Sequence, residues 1–164
     1  MIIEAVTGDI TREQVDAVVN AANGRLARGG GVCGAIFAAA GRELESACSD
    51  LGGCAVGDAK ATPGFALPAR WIVHTVGPVW RGGGLREPEL LASCYRRCTE
   101  VAADLGAHSI AFPAISTGIF GYPRGPAAEI AIRTLRDGPK LVEIVRLVAF
   151  DQEALRIYED LLEV

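Results

Sequence analysis

A chain of 164 residues, half of them hydrophobic and 22% charged, has the composition of a globular protein and lies far from the disordered class. The length is enough for a full core, and the expectation is a single domain over residues 1–164. A net charge of −4, with no basic stripe, argues against a general nucleic-acid binder. Backbone donors would then have to carry much of the recognition of any phosphate ligand. The chain opens Met1-Ile2-Ile3-Glu4, without a basic n-region or a long apolar segment. No membrane association is expected, and the expected location is cytoplasmic, with the five cysteines reduced. None of them forms a C-x-x-C pair, and only His74 and His108 could assist, so no metal or other cofactor is expected. No heptad or extended apolar surface segment argues for assembly, and the expected state is a monomer.

Strands alternate with helices along the chain. Ile2–Val6 reads as a first strand, closed by Thr7-Gly8-Asp9-Ile10-Thr11. Ala17–Val19 is a short, wholly apolar strand of the kind buried on both faces. It ends at Asn20-Ala21-Ala22-Asn23, and the chain then passes Gly29-Gly30-Gly31 into a helix over 34–40 that resumes over 42–51. Asp58–Thr62 reads as an edge strand, turned by Pro63-Gly64, and Trp71–Val76 as a stronger one. Trp80–Glu87, with three consecutive glycines, reads as a mobile loop. Pro88 opens a long helix to about Leu105, whose apolar residues recur at helical spacing. Ser109–Phe112 is the next strand, followed by a second glycine-bearing loop over 116–123, a helix from Pro126 to about Arg136, a strand over 143–150 and a last helix over 152–162. This order predicts an α/β domain with a largely parallel sheet between two helical layers.

In an open parallel sheet, ligands bind beyond the carboxyl ends of the strands. Four loops follow strands here: 8–11, 20–34, 113–123, and Phe150 with Asp151. If their strands are parallel, all four meet in one crevice. Two of the loops carry glycines into helix N-termini, giving two nests of backbone N–H groups suited to a diphosphate. Asp9 can accept from an exocyclic amine of a base, and Phe150 can stack on the face of that base. Asn23 is delivered beside the first nest, whereas Asn20 divides evenly between a role in the turn and one in the site. Cys33 sits at a helix start but without a nearby histidine in sequence, so it reads as a small buried hydrophobe rather than a nucleophile. His74 lies in an apolar strand and reads as a core histidine, and Phe37 as core packing.

Taken together, Asn20-Ala21-Ala22-Asn23, Gly29-Gly30-Gly31-Val32 and Ser116-Thr117-Gly118-Ile119-Phe120-Gly121-Tyr122-Pro123 resemble a macrodomain of the MacroD type. Thr7–Thr11, Thr62–Ala69 and Ile72–Pro78 agree with the same family, so the resemblance covers nearly the whole chain. It implies a three-layer α/β/α fold on a mixed, largely parallel sheet of about six strands. It also implies binding of ADP-ribose and hydrolysis of ADP-ribosyl esters on Glu or Asp of modified proteins, with O-acetyl-ADP-ribose as a second substrate. By the same resemblance Asp9, with Ile10 beside it, takes the adenine amino group, and Phe150 lies next to adenine. The backbone of Gly30, Gly31 and Val32 and of Ser116, Thr117, Gly118, Ile119 and Phe120 wraps the diphosphate, and Cys33 after the first of these counts among the substrate-binding residues. Asn23 is the catalytic residue on the distal ribose, Phe120 packs on that ribose, and Asn20 belongs to the same loop.

The chain departs from the MacroD pattern Gly-Gly-Gly-Gly-Val-Asp-Gly-Ala-Ile-His at three places, where it carries Arg28, Cys33 and Phe37. The carboxylate associated with the attacking water is therefore replaced by a thiol. Viral macrodomains resemble this loop in carrying a small neutral residue there, and in that variant a substrate phosphate positions the water. The rival readings are a binding-only ADP-ribose reader and a binder of another nucleotide diphosphate.

Overall fold

The computed structural model describes residues 1–164. Six strands form one sheet: β1 (Ile2–Thr7), β2 (Ala17–Ala21), β3 (Ala59–Pro63), β4 (Trp71–Thr75), β5 (Ser109–Phe112) and β6 (Ile144–Ala149). Five helices surround it: α1 (Gly31–Ala40), α2 (Glu43–Asp50), α3 (Glu87–Asp104), α4 (Arg124–Asp137) and α5 (Gln152–Leu162). The strand order is β1-β6-β5-β2-β4-β3. All neighbours are parallel except β3, which pairs antiparallel with β4. The exception has a local cause. Pro63-Gly64 turns the chain straight back, and the Gly64 N–H closes that turn on the Arg70 carbonyl at 2.8 Å. The sheet is thus mixed, as the family resemblance implies, with β3 at an edge.

Strand residues alternate between two cores. Ala17, Val19, Val73, Ile110, Phe112, Val145 and Leu147 pack beneath α3, α4 and α5. Val18, Ile72, Ala111 and Val148 face α1 and α2. Both faces are covered, so the central strands read as continuous apolar runs rather than as alternating ones. Each fully buried Ile or Leu contributes about 1.5–3 kcal/mol, and these two layers hold the loops above them in place. No helix is long and apolar enough to cross a membrane.

Two boundaries differ from expectation in ways that matter. Helix α1 begins at Gly31, three residues earlier than the sequence suggests, with Gly30 as its N-cap. Gly31, Val32 and Cys33 therefore occupy the first helical turn, where N–H groups have no intrahelical acceptor. The segment expected to be a mobile loop is instead pinned. Glu87, only 1% exposed, accepts from the backbone N–H groups of Arg81 (2.9 Å), Gly83 (2.8 Å) and Leu85 (2.6 Å). A run of glycines predicts flexibility only while nothing binds its amides, and here one carboxylate binds two of the flanking N–H groups and one glycine's own.

Candidate functional site

The strand order reverses between β5 and β2. From β2 the chain proceeds toward β4, and from β5 toward β6, so the loops after these two neighbouring strands diverge and leave a crevice between them. The crevice has a volume of about 840 Å³ and is lined by four chain segments: 8–10, 21–35, 113–124 and 148–150, with Gly77 at the back. Because β1, β6, β5 and β2 are consecutive in the sheet, their loops line up across it. Asp9 follows β1 and Phe150 follows β6 at one end; the 113–123 loop follows β5 in the middle; Asn23 and the glycine run follow β2 at the other end.

The first wall is a helix N-terminus without a cap. Gly30 makes no side-chain capping bond, and the first N–H in this turn with a backbone acceptor is that of Gly34, bonded to the Gly30 carbonyl at 3.2 Å. The opposite wall is bent by Ser116, which holds φ at 68°, a conformation that L side chains rarely adopt. That bend turns the Gly118, Ile119 and Phe120 N–H groups away from every backbone carbonyl. The loop is closed by Gly121 N–H to the Gly118 carbonyl (3.0 Å) and Tyr122 N–H to the Ser116 carbonyl (2.9 Å). Two sets of open backbone donors thus face one space, which is an arrangement for an extended anion.

Each wall leans on a glycine that no other residue could replace without movement. A Cβ on Gly34 would lie 2.6 Å from the Gly29 carbonyl oxygen. One on Gly77 would lie 2.2 Å from Ser116 Oγ and 2.7 Å from Ile115 Cγ2. These contacts set how close the glycine loop sits to α1 and how close the second loop sits to the end of β4.

Thirteen of the fourteen residues singled out from sequence line the crevice: Asp9, Ile10, Asn23, Gly30, Gly31, Val32, Cys33, Ser116, Thr117, Gly118, Ile119, Phe120 and Phe150. Asp9 Oδ1 accepts from the Thr11 hydroxyl (2.6 Å) and the Thr11 N–H (3.0 Å). Those bonds, the hydroxyl first, hold its carboxyl below the ordinary value, so it remains an acceptor with a second oxygen to spare. Phe150 is 86% exposed, an apolar face open to a ring. Asn23 is tied into its own turn: Oδ1 accepts from the Arg25 (3.2 Å) and Ala27 (3.1 Å) N–H groups, and Nδ2 donates to the Ala27 carbonyl (2.9 Å). One amide hydrogen of Nδ2 is left for a ligand.

Asn20 is the one not brought to the crevice. It lies fully buried at the end of β2, beneath Cys33, with Nδ2 3.7 Å from Cys33 Sγ and 3.1 Å from His74 Nδ1. His74, opposite it on β4, contacts Thr62 Oγ1 (2.9 Å) and Cys48 Sγ (3.7 Å) through Nε2. The thiol of Cys33 donates in turn to the Ala27 carbonyl at 3.7 Å. A buried polar chain therefore supports the glycine loop from below, and no base contacts the Cys33 sulfur. Sequence reasoning missed Arg124, the only cation lining the crevice, whose Nη1 lies 3.1 Å from both oxygens of Asp151. Its position just after the second loop, at the start of α4, was the available signal.

Two expectations follow. Gly34→Ala and Gly77→Ala should each lower stability by about 1–3 kcal/mol, read by thermal or denaturant melting. Gly30→Ala and Gly118→Ala, whose Cβ atoms would meet open space, should stay within about 0.5 kcal/mol. Burial lowers the His74 pKa from 6.5 to about 4, so the folded protein keeps it neutral where the unfolded chain protonates it. Stability should then fall as pH drops from about 6.5 toward 4, by about 3 kcal/mol at pH 4, and His74→Gln should flatten that part of the profile.

Comparison with known proteins agrees with the fold. The Macro domain family model matches residues 19–131. The chain is 56% identical to a macro domain-containing protein of Mesorhizobium japonicum, over 93% of this chain and 88% of that one. It is 50% identical to a Salmonella newport protein named O-acetyl-ADP-ribose deacetylase, over 98% and 93%. A solved structure of the Oceanobacillus iheyensis macrodomain with ADP superposes with a TM-score of 0.93 at 43% identity, covering 98% of this chain and 90% of that one. The Trypanosoma brucei macrodomain in complex with ADP-ribose gives 0.88 at 38%, covering 98% and 68%. On the fold, the paired loops and these matches, the chain belongs to the Macro domain family.

Proposed function

We propose that the crevice binds ADP-ribose and that the protein hydrolyses ADP-ribosyl esters, on Glu or Asp side chains of modified proteins and on O-acetyl-ADP-ribose. The observation that carries this reading is the order of chemistry along the crevice. A free carboxylate oxygen and an exposed aromatic stand at one end, two opposed sets of open N–H groups in the middle, and one amide donor of Asn23 at the other. That order is the order of adenine, diphosphate and distal ribose. The volume is of the size usual for ligand sites, roughly 300–1,000 Å³. Support also comes from the Salmonella relatives named as deacetylases and from related structures that hold ADP or ADP-ribose.

For a protein ester, water adds to the anomeric carbon of the distal ribose as the carboxylate leaves, and the water's proton passes to solvent. Asp9, at the adenine end, is the only carboxylate lining the crevice, so a phosphate oxygen of the substrate itself holds the water. Asn23 donates to a ribose hydroxyl and fixes the sugar, and the open N–H groups hold the diphosphate whose oxygen faces the reacting carbon. Positioning of this kind supplies large accelerations for a link that is already labile. The missing carboxylate also favours a second reading, a binding-only reader of ADP-ribose.

Hydrolysis of ester-linked, auto-modified protein separates the two readings. The enzyme reading expects loss of label with wild type; persistence of label despite measurable ADP-ribose affinity would leave the reader. Asn23→Ala and Asn23→Asp should both lower the hydrolysis rate by about 100-fold or more, since each removes the amide donor. Their affinity for ADP, which lacks the distal ribose, should stay within about threefold of wild type. Cys33→Ala should remain active, because the buried thiol has no base and serves only the loop; abolished turnover with intact ADP-ribose binding would revive a nucleophile.

A further inference from the structure

Glu87 lies outside the crevice and none of the chemistry above uses it, yet its carboxylate is buried to 1% exposure at the first residue of α3. A buried carboxylate is costly unless its oxygens are satisfied, and here three backbone N–H groups satisfy them. Burial alone would raise its pKa, but the N–H bonds from Arg81, Gly83 and Leu85 together outweigh that and leave it below the ordinary value. The carboxylate therefore dictates the path of 81–85, a segment where Gly82 and Gly83 hold φ near 90°.

That path is coupled to the second wall of the crevice through Trp80. The Trp80 ring rests on Gly83, so closely that a Cβ there would lie 3.0 Å from Cη2. The same ring packs on Tyr122, with ring centroids 4.6 Å apart and planes tilted by 50°. The Trp80 N–H donates to the Phe120 carbonyl at 2.8 Å, and the Tyr122 N–H to the Ser116 carbonyl at 2.9 Å. The carbonyl of Phe120 is thus held from behind, which leaves its own N–H, with those of Gly118 and Ile119, presented forward.

We propose that Glu87 is a positioning residue for the second clamp: by fixing the 81–85 turn under Trp80 it holds residues 116–122 in the conformation that presents their N–H groups to a diphosphate. The inference rests on the nucleotide reading only for the identity of the ligand. Without Glu87 the turn has three N–H groups without their acceptor, Gly83 moves from under the indole, and the wall loses its buttress. Glu87→Gln keeps the shape but offers one acceptor oxygen where two were used.

A double-mutant cycle tests it. ADP-ribose affinity is measured by calorimetry for wild type, Glu87→Gln, Trp80→Leu and the double variant. Each single change should weaken binding by about tenfold, and the double should be no weaker than the worse single, because both act through one contact. Losses that multiply would overturn the proposal, as would unchanged affinity in Glu87→Gln. In ligand-free protein, amide exchange at Trp80 and Tyr122 should accelerate in Glu87→Gln while Ile110 and Val145 in the core strands stay protected. Equal acceleration throughout would mean a merely global loss of stability and would overturn it too. Trp80 emission, read in a Trp71→Phe background, should shift with Glu87→Gln before any ligand is added, and an unmoved spectrum counts against the idea. Should wild type bind no ADP-ribose, the nucleotide reading fails, while exchange and emission still decide the role of Glu87.

Discussion

At the ends of β2 and β5 the backbone leaves regular structure with several N–H groups that have no carbonyl to accept them. Leaving donors open is costly in a buried place, and the fold tolerates it because both sets line a crevice open to the surface. Everything else in the site is arranged around that condition. The uncapped start of α1 and the left-handed Ser116 create the open donors. The reversal of strand order between β2 and β5 puts the two sets opposite each other. With only Arg124 as a lining cation, and that one paired with Asp151, backbone dipoles carry most of the positive potential in the crevice.

Open donors are useful only if they stay aimed, and the supports lie behind them. Beneath the first wall, Asn20, His74, Thr62 and Cys33 form a chain of polar contacts inside an apolar layer. Such a chain specifies one arrangement, because each member left unpaired would cost desolvation. Asn20 Oδ1 has no partner in it, so the chain is not fully satisfied and its rigidity rests on the remaining contacts. Behind the second wall, Gly77 permits the close approach of Ser116, and Trp80 and Tyr122 fill the space beyond.

The replacement of a carboxylate by Cys33 takes on a different aspect in this setting. Cys33 is only 5% exposed, and its sulfur spans the gap between Asn20 and the Ala27 carbonyl, so it contributes to the shape of the glycine loop. A thiol there also leaves the Asn23 end of the crevice without a lining carboxylate.

Much of this was legible in the residues themselves. The apolar run of β2 announced a strand covered on both faces, and the glycines after it announced a loop that approaches a ligand. Asp9, Asn23 and Phe150 were placed by residue type at strand ends. The start of α1 inside the glycine run was not legible, since glycine is a poor helix former and only the packing of α1 on the sheet decides where the first turn begins. Nor was the withdrawal of Asn20 from the crevice, which depends on its falling on the α1 side of β2 and opposite His74, a register that tertiary pairing sets. Arg124 escaped for the same reason, since Asp151 reaches it from another segment, whereas Glu87 escaped because its partners, though close in sequence, are main-chain N–H groups that leave no mark in residue type. By itself, then, the sequence determined the alternation of elements, the loops that carry ligand chemistry and the family pattern, because these follow from local periodicity and residue type. Only the tertiary structure decided which side chains face the crevice and which brace it, because that depends on pairing register and close packing between distant segments.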